Sequence, residues 1–428
     1  MLYKQQRSTN LHNLRSLERN NVNKRKENQN QSQRSRNLDG SFSTCSGLTI
    51  FHLNIQSLRN SAHLIQLREL VKSEKFDIVT ISETWLNTSV TSGEIKLDDY
   101  KVFRLDRLHK RGGGVCAYVR TELKTKVLKD YSYISDSNFH QLWLRVQLKK
   151  LKSIVVCVTY RPQDCPLNCF EDDLKPTYLQ SIALNKPTVI LGDLNCDVLK
   201  ESRPEFIALN NFVSEMNLRQ LIKSPTRITA TTETAPDVIL VSSTSLVCKS
   251  GIINLSISDH MAVFVELKVK APIPPPYYIS VRSYKNYSPT MFSGDLATNS
   301  TRLLSIFDTT DVNAQLNIFN DVLQSTLDSH APVRTIRVRN RPCPFVTRDI
   351  KQLMDNRNSL HRRFLQTRDA PDWEKYKALR NTVKRVLTEA ERSYTFQEVQ
   401  ENKNDPRSLW KIINRTIPSK EKERQVYA

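Results

Sequence analysis

Polar side chains suited to phosphate chemistry stand at the ends of several apolar, strand-like segments. Carboxylate, amide, imidazole and phenol groups lie where these apolar runs stop or begin. The residues are Asn54, Glu83, Tyr160, Asp193, Asn195, Asp237, Asp259 and His260. Any one of them alone is a plausible turn or helix cap, because Asp, Asn and Ser favour local hydrogen bonds to the backbone. Their combination and order indicate a catalytic site.

Hydrolysis of a phosphodiester requires these residue types. A hard cation must offset the phosphate charge, and Mg²⁺ is typically held by one or two carboxylates plus substrate oxygens. Glu83 is the first choice of ligand, and the amide of Asn54 would support that site. A water molecule must also be oriented and deprotonated. Asp193 can accept the proton while Asn195 holds the geometry, and His260 can donate a hydrogen bond to the charge developing on the phosphate.

Eight short motifs follow one another within about half of the chain: LNIQSL, SETW, RGGGV, TYRP, GDLN, SPTR, PDVIL and SDH. Together they resemble the endonuclease/exonuclease/phosphatase superfamily, whose DNase I-like fold is an α/β sandwich of two sheets with the active site at the sheet ends. SETW, RGGGV, TYRP and SPTR are similar to the endonuclease of LINE-type non-LTR retrotransposons. That enzyme nicks target DNA and so primes reverse transcription.

The resemblance implies further roles for named residues. Asp259 would lie at or near the metal, Asp237 would bond the second ring nitrogen of His260 and favour imidazolium, and Tyr160 would offer its hydroxyl to the phosphate. In the repair enzymes of the superfamily an acid commonly stands two positions after the motif Asn, where this chain has Gln56. The departure favours a single Mg²⁺, with Mn²⁺ as a substitute, and weakens a repair-enzyme interpretation.

Three other motifs have structural interpretations beside functional ones. Arg111 opens RGGG, but no Lys-Ser/Thr follows and a strand comes next, so we predict a turn and not a phosphate-binding loop. Arg111, with Thr226 and Arg227 of SPTR, is predicted to contact DNA. FEDD at 170–173 matches the aromatic-x-Asp-Asp pattern of reverse transcriptases, but no polymerase fits between TYRP and GDLN. We predict that FEDD is the acidic start of a helix.

Branched apolar segments alternate with helical ones from Leu48 onward. Strands are predicted over LTIFHLNI, FDIVTIS, GVCAYVR, QLWLRVQL, SIVVCVTY, TVILGDLN, DVILVS and MAVFVEL. Helices are predicted after Asn60 and from about Pro204 to Met216. Many strands with interspersed helices indicate an α/β (α+β) enzyme, a two-sheet β-sandwich flanked by helices.

Composition divides the chain into four parts. Residues 1–47 contain nine Lys/Arg and three Asp/Glu with few apolar positions, and are predicted to be a disordered basic tail. Residues 48–270 would form the endonuclease domain, and residues 271–346, which begin with APIPPPYY, a linker with some helix. Residues 347–428 are predicted to be a basic helical connector of the kind that precedes a reverse transcriptase, with the polymerase itself missing.

The charge of the chain is concentrated at its two ends. The formal net charge is +20, and residues 331–428 alone carry 23 Lys/Arg against 12 Asp/Glu. Basic ends around a nearly neutral middle favour contact with a polyanion, although solvated faces would give the same composition. Eight scattered cysteines, no apolar signal segment and no run of membrane-spanning length favour a reduced, intracellular protein, nuclear when it acts on DNA.

These observations predict a Mg²⁺-dependent endonuclease that nicks double-stranded DNA, binds element RNA through its basic tails and has no membrane partner. A catalytically inactive nucleic-acid-binding relic, a repair endonuclease and a deadenylase are alternatives that the sequence leaves open, as it does the oligomeric state. We expect removal of residues 331–428 to weaken DNA binding and to spare nicking.

Overall fold

The structure is a computed structural model. It describes residues 47–74, 76–108, 110–149, 152–270, 278–337 and 343–416. The predicted N-terminal tail, up to residue 46, and residues 271–277 of the predicted linker lie outside the described residues.

Two β-sheets form the centre of residues 48–270. The strands of the first sheet are β1 (Leu48–Asn54), β2 (Ile78–Ser82), β3 (Tyr100–Leu105), β4 (Val115–Arg120), β14 (Val247–Ile253) and β15 (Ala262–Leu267). The strands of the second are β5 (Thr125–Val127), β6 (Tyr133–Ile134), β7 (His140–Gln147), β8 (Ser153–Tyr160), β9 (Thr188–Asp193), β10 (Arg219–Gln220) and β13 (Asp237–Val241). The first sheet is ordered β14-β15-β1-β2-β4-β3, and the second is ordered β10-β13-β9-β8-β7-β5 with β6 paired to β7. A small hairpin of β11 (Arg227–Ile228) and β12 (Glu233–Thr234) lies apart from both sheets.

The central core lies between the two sheets. Side chains alternate along a strand, so each strand presents one face to this core and the other to a flanking helix. In β1, Leu48 and Ile50 join the central cluster that also contains Val156 of β8 and Leu191 of β9. Phe51, on the opposite face of β1, packs in a second cluster with the helix that covers the sheet. Both faces of the strand are therefore buried, as its nearly continuous apolar sequence requires.

Helices cover the outer faces of both sheets. Helix α1 (Ser61–Ser73) follows an Asn60 N-cap and packs on the first sheet. Helices α2 (Lys175–Ile182) and α3 (Pro204–Glu215) pack on the second. The FEDD segment forms a helical turn, Phe170–Leu174, that leads directly into α2. The predicted α/β class, with two packed sheets flanked by helices, is confirmed, and each of the eight predicted strands is present.

Strand pairing brings distant motifs to one edge. β1 pairs parallel with β2, and β8 pairs parallel with β9, so the carboxyl ends of each pair lie side by side. β13 and β15 run antiparallel to β9 and β1, so their amino ends lie at that same edge. The end of four strands and the start of two therefore converge there.

Residues 278–337 belong to a second compact unit. It contains a hairpin of β16 (Tyr278–Arg282) and β17 (Val333–Arg337), with helices α4 (Pro289–Thr298), α5 (Ser300–Leu304) and α6 (Val312–His330). Within the unit, Arg282 pairs with Asp328 and donates to the carbonyl of Ala331. The stretch predicted as a linker with some helix thus contains a hairpin as well as helices.

The C-terminal helices are α7 (Arg348–Thr367), α8 (Ala370–Glu401) and α9 (Pro406–Thr416). Contact clustering assigns them to the same unit as the two sheets. Ile350 of α7 and Val383 and Leu387 of α8 pack on Ala62 and Ile65 of α1. The helical hairpin of α7 and α8 therefore covers a helix of the sandwich, which the separate connector predicted for 347–428 did not anticipate.

Phe364 of α7 fixes the hairpin to a loop beside the sheet edge. It is 2% exposed and clusters with Ile228 and Met261, the residues that follow Arg227 and His260. Trp373 packs on it at 4.7 Å between ring centroids. Phe364 thus contacts Ile228 and Met261 of the sandwich on one side and Trp373 of α8 on the other.

The described cysteines are mostly reduced and buried. Six are free, namely Cys116, Cys157, Cys165, Cys169, Cys196 and Cys343. Cys248 is disulfide-bonded, which the expectation of a reduced protein did not foresee. Among the described helices, none combines the length and the apolar character needed to cross a membrane.

Substitution of Phe364 tests this packing. Phe364→Ala should lower the free energy of unfolding by about 3–5 kcal/mol, because it removes buried surface and leaves a cavity. Phe396→Ala, in α8 at 66% exposure, is the matched control and should change it by less than about 0.5 kcal/mol. Chemical denaturation followed by circular dichroism and tryptophan fluorescence measures both. A separate early transition for the hairpin, leaving the sandwich stability unaltered, would contradict the single packed unit.

Candidate active site

Asn54 joins the two sheets at the converging strand ends. Its side chain is fully buried, and its amide nitrogen donates to Glu83 Oε1 at 2.9 Å and to Asp193 Oδ2 at 2.7 Å. Its amide oxygen accepts the backbone N–H of Gln56 at 3.2 Å. Because two carboxylates and one N–H surround this amide, the orientation of its nitrogen and oxygen follows from its partners. Asn54 therefore presents its donor group to both carboxylates in this structure.

Glu83 is held from three sides just beyond β2. Oε1 accepts from Asn54 and from the Tyr160 hydroxyl at 3.1 Å, and Oε2 accepts from Trp85 Nε1 at 3.1 Å. Its φ is 52°, in the left-handed region that is costly for a side chain of this size. The neighbouring backbone is fixed by the RGGG turn, since Thr84 N–H donates to the carbonyl of Gly114 at 3.2 Å. The strained position is thus stabilised by its surroundings, as at many functional sites.

The RGGG segment forms a tight turn before β4. Gly112, Gly113 and Gly114 all have positive φ, from 71° to 87°. A Cβ on Gly113 would meet the His140 ring at 2.8 Å, and one on Gly114 would meet the Thr84 hydroxyl at 2.5 Å. The glycines therefore allow the turn to pack against the Glu83 loop, as the predicted turn requires.

Asp193 lies at the end of β9 with both oxygens engaged. Oδ1 accepts the backbone N–H of Asn195 at 2.9 Å, and Oδ2 accepts from Asn54. The side chain is 1% exposed, and burial raises its pKa to about 7 against the opposing effect of His260. The side-chain amide nitrogen of Asn195 donates to the carbonyl of Arg161 at 2.8 Å. The side-chain oxygen of Asn195 therefore points away from Arg161.

His260 stands between two carboxylates. Nδ1 lies 2.9 Å from Asp237 Oδ2, and Nε2 lies 3.9 Å from Asp193 Oδ2, too far for a hydrogen bond. Burial lowers the pKa of His260, but Asp237, through charge and hydrogen bond, and Asp193 outweigh burial and raise it to about 10. The imidazolium correspondingly lowers the pKa of Asp237 against the effect of burial. A charged imidazole with a fixed Nδ1–H results.

The residues predicted at the DNA-facing rim occupy different environments. Thr226 is fully buried and donates to Asp237 Oδ2 at 2.6 Å, so its side chain has no surface for DNA. Arg227 has a side chain 40% exposed and donates from Nε to Asp259 Oδ2 at 2.9 Å. Arg111 is exposed, with its guanidinium 5.8 Å from the centroid of the Trp85 ring. The structure thus makes Thr226 a partner of Asp237 instead of a DNA contact.

Two further residues contribute to this edge without a role predicted from the sequence. Trp85 received no role although it belongs to SETW, and its indole donates to Glu83. His140 opens β7 opposite Tyr160 and accepts the Gly114 N–H at Nδ1, 3.2 Å away. Burial, followed by Arg107, lowers the pKa of His140 to about 3, so the ring is neutral. No local pattern marked His140, because it lies inside an apolar strand.

Acidic side chains at this edge could serve a divalent cation. Glu83, Asp193 and Asp259 carry carboxylate oxygens, the donor type that Mg²⁺ prefers. Among the described residues, Asp259 Oδ1 and Asp237 Oδ1 are buried carboxylate oxygens without a hydrogen-bond partner. Asp193, Asp237 and His260 also form a buried group whose ligand atoms lie within 4.8 Å of one another, so it could hold a metal ion. In that group, however, the Asp237–His260 contact is already a hydrogen bond, and Mg²⁺ prefers oxygen to imidazole.

Comparison with known proteins agrees with this arrangement. Residues 51–260 match the model described as the endonuclease/exonuclease/phosphatase family, and residues 346–405 match one described as the female sterile protein K10 C-terminal domain. The segment 51–260 belongs to the endonuclease/exonuclease/phosphatase family. Members of this family are hydrolytic nucleases and phosphatases. No curated protein matches the chain.

Solved structures with a similar fold include several nucleases. The endonuclease domain of TRAS1, a telomere-specific non-LTR retrotransposon, is 16% identical over 52% of this chain and 99% of its own, with a TM-score of 0.43. The AP endonuclease LMAP from Leishmania major is 16% identical over 55% of this chain and 92% of its own, with a TM-score of 0.45. The human Nocturnin catalytic domain is 13% identical over 51% of this chain and 92% of its own, with a TM-score of 0.38.

The raised pKa of His260 can be tested directly. In the metal-free protein with EDTA, Asp237→Asn should lower the pKa of His260 from about 10 toward its ordinary 6.5, because the carboxylate that favours imidazolium is removed. A pH titration of the ring by heteronuclear NMR measures the change. Asp197→Asn, at an acid that accepts the Ala235 N–H, is the control and should leave the titration unchanged. An unaltered His260 pKa in Asp237→Asn would contradict the electrostatic role of Asp237.

Proposed function

We propose that residues 48–270 form a divalent-metal-dependent endonuclease that hydrolyses phosphodiester bonds of double-stranded DNA. The observation that carries the proposal is the continuous set of hydrogen bonds at the sheet edge. It runs from Glu83 through Asn54 to Asp193, with the Asp237–His260 pair beside it. Each group in the set is buried or half-buried and oriented by its neighbours, which is the preorganisation that catalysis needs.

Asp193 is proposed as the general base. Its pKa of about 7 places it near the operating pH, where a base is most effective. Two donors fix its orientation, namely the Asn54 amide and the Asn195 backbone N–H. The amide nitrogen of Asn195 donates its hydrogen bond to the Arg161 carbonyl. The side-chain oxygen of Asn195 can therefore accept a hydrogen bond from the attacking water.

His260 is proposed to stabilise the phosphate as its charge develops. Asp237 holds Nδ1–H, so the remaining Nε2–H can donate to a phosphate oxygen. The 3.9 Å between Nε2 and Asp193 Oδ2 leaves the two groups free of a direct hydrogen bond. Tyr160 donates to Glu83, and burial, followed by Glu83 and Asp193, raises its pKa so that it stays protonated. The main proposed role of Tyr160 is therefore to orient Glu83. Contact of its hydroxyl with the phosphate is a second proposed role.

Glu83 and Asp259 are the residues we propose to hold the cation, Mg²⁺ or Mn²⁺. When bound, the cation would offset the negative charge of the phosphate and polarise it. Asn54 contributes through its donor, which holds Glu83 and Asp193 in place, and its predicted support of the metal stays part of the proposal. Trp85 supports Glu83 from the opposite oxygen.

The biological role we propose is nicking of target DNA for target-primed reverse transcription. Support comes from the LINE-type motifs SETW, RGGGV, TYRP and SPTR. SETW contains Glu83, RGGGV forms the turn beside it, TYRP contains Tyr160, and SPTR contains Thr226, which bonds Asp237. Binding of element RNA and a nuclear location belong to the same proposal. An inactive nucleic-acid-binding relic is the rival, which an activity assay separates.

A supercoiled plasmid assay with the full chain tests the activity. Wild type should nick the plasmid with Mg²⁺ and stop in EDTA, and Asp193→Asn and His260→Gln should each slow nicking about 10²–10⁴-fold by removing proton transfer or phosphate stabilisation. Asp172→Asn, an exposed acid of the FEDD motif, is the matched control and should nick at the wild-type rate. Failure of folded wild type to cut with either Mg²⁺ or Mn²⁺ would establish the inactive relic instead.

Trp85→Phe tests the support of Glu83. The variant keeps the ring but removes the Nε1 donor, and loss of such a supporting hydrogen bond costs about 10–100-fold in metal affinity or activity. Titration of the nicking rate with Mg²⁺ measures the effect. Trp410→Phe, at 61% exposure in α9, is the control. Equal metal requirements in both variants would exclude a functional role for the Trp85–Glu83 bond.

A further inference from the structure

The packing interface between the C-terminal hairpin and the sandwich concentrates positive charge. Arg380 and Lys384 stand one helical turn apart on the face of α8 that meets α1, where Ser61 and Thr388 are 3.2 Å apart between hydroxyl oxygens. Arg357 of α7 enters the same region and is 1% exposed. We call Arg357, Arg380 and Lys384, with the neighbouring His63 of α1, the interface cluster.

Arg357 anchors the cluster to the sandwich. It donates to Gln66 Oε1 of α1 and to the carbonyl of Leu255 at 3.3 Å. One turn later, His361 Nδ1 lies 2.9 Å from Ser256 Oγ and 2.8 Å from Asn254 Oδ1. Residues 254–256 begin the loop that ends in His260, so the cluster lies beside the loop that carries the proposed phosphate-binding histidine.

Two cations of the cluster are not neutralised by an acid. Among the described residues, neither Arg380 nor Lys384 forms a salt bridge, and Arg380 Nε is buried without a hydrogen-bond partner. The guanidinium of Arg380 instead lies 5.8 Å from the centroid of the Tyr376 ring. Asp259 is a carboxylate whose charge raises the pKa of Lys384 against the effect of burial, but its Oδ2 already accepts a hydrogen bond from Arg227.

The electrostatic consequences appear on the neighbouring groups. Burial, followed by Arg380 and Arg357, lowers the pKa of Lys384. Burial, followed by Lys384, lowers the pKa of His63 to about 4. Asn254 Nδ2 is a further donor without a partner in the described part of the chain, and His361 joins it to the same region. Half-buried cations and unused donors at one place are unfavourable unless an anion approaches them.

We infer that Arg380 and Lys384 bind a backbone phosphate of the duplex DNA on which the proposed nuclease acts. A phosphodiester oxygen matches the need for negative charge and for multiple acceptors. Arg357 and His361 of the same hairpin bond Leu255 and Ser256 in the loop that leads to His260, so the bound phosphate belongs to a nucleotide near the scissile one. The hairpin thereby extends the DNA-binding surface of the sandwich. The inference rests on the proposed function for its ligand.

Binding measurements in EDTA test it without requiring cleavage. Fluorescence anisotropy with the full chain and a labelled DNA duplex gives Kd at several salt concentrations. Arg380→Gln/Lys384→Gln should weaken binding about tenfold and reduce the salt dependence by about one unit of slope per lost phosphate contact. Lys375→Gln/Arg385→Gln removes the same charge from exposed positions of α8 and should change Kd by less than about twofold. Thermal unfolding of both variants checks that they are folded.

The outcomes separate the possibilities. Weaker binding only in Arg380→Gln/Lys384→Gln supports the inference, even if wild type proves unable to nick. In an active protein, the same variant should raise KM for the plasmid and leave kcat unchanged, since Asp193 and His260 are untouched. Unchanged binding, or an equal loss in both double variants, would overturn it and leave the cluster as a packing interface. Loss of binding to duplex RNA but not to DNA would overturn the assignment of the ligand.

Discussion

The amide of Asn54 connects the two sheets at the only edge where catalysis is proposed, and the geometry of the site depends on it. Its nitrogen donates to Glu83, which follows a strand of the first sheet, and to Asp193, which ends a strand of the second. One carboxylate is buried and the other is half-buried, and without a donor between them they would repel each other when both are ionised. One neutral donor group therefore fixes the spacing of these two acids across the sheets.

Support for the site comes in successive layers around that bridge. The Ser258 hydroxyl donates to the carbonyl of Asn54 at 2.6 Å and accepts the N–H of His260, so the histidine loop is tied to the same strand end. Thr226 and Asp237 then fix the imidazole from behind. The site is thus held by side chains from both sheets and from the loops that join them, and a shift in one carries the others with it.

The sequence was sufficient for the elements that have strong local patterns. All eight predicted strands are continuous branched runs buried on both faces, and their polar ends identified the site edge. The strands β3 and β14 were not predicted, because they lie at the two edges of the first sheet and their side chains are partly exposed. The orientation of the Asn54 amide, the donor role of Trp85 and the position of His140 depend on partners far away in sequence. No periodicity within a segment encodes such contacts.

The helical hairpin gave the largest difference between sequence and structure. The sequence predicted a basic helical connector over residues 347–428, but it did not say that α1 would be its partner or that Arg357 and His361 would bond the loop leading to His260. The match to the endonuclease/exonuclease/phosphatase family ends at residue 260, whereas the folded unit continues through these helices. We therefore expect a frameshift or a proteolytic cut after residue 342 to alter the position of His260, the proposed phosphate-binding residue, although every proposed catalytic side chain would remain in the shortened chain. The expectation that removal of residues 331–428 spares nicking is revised accordingly.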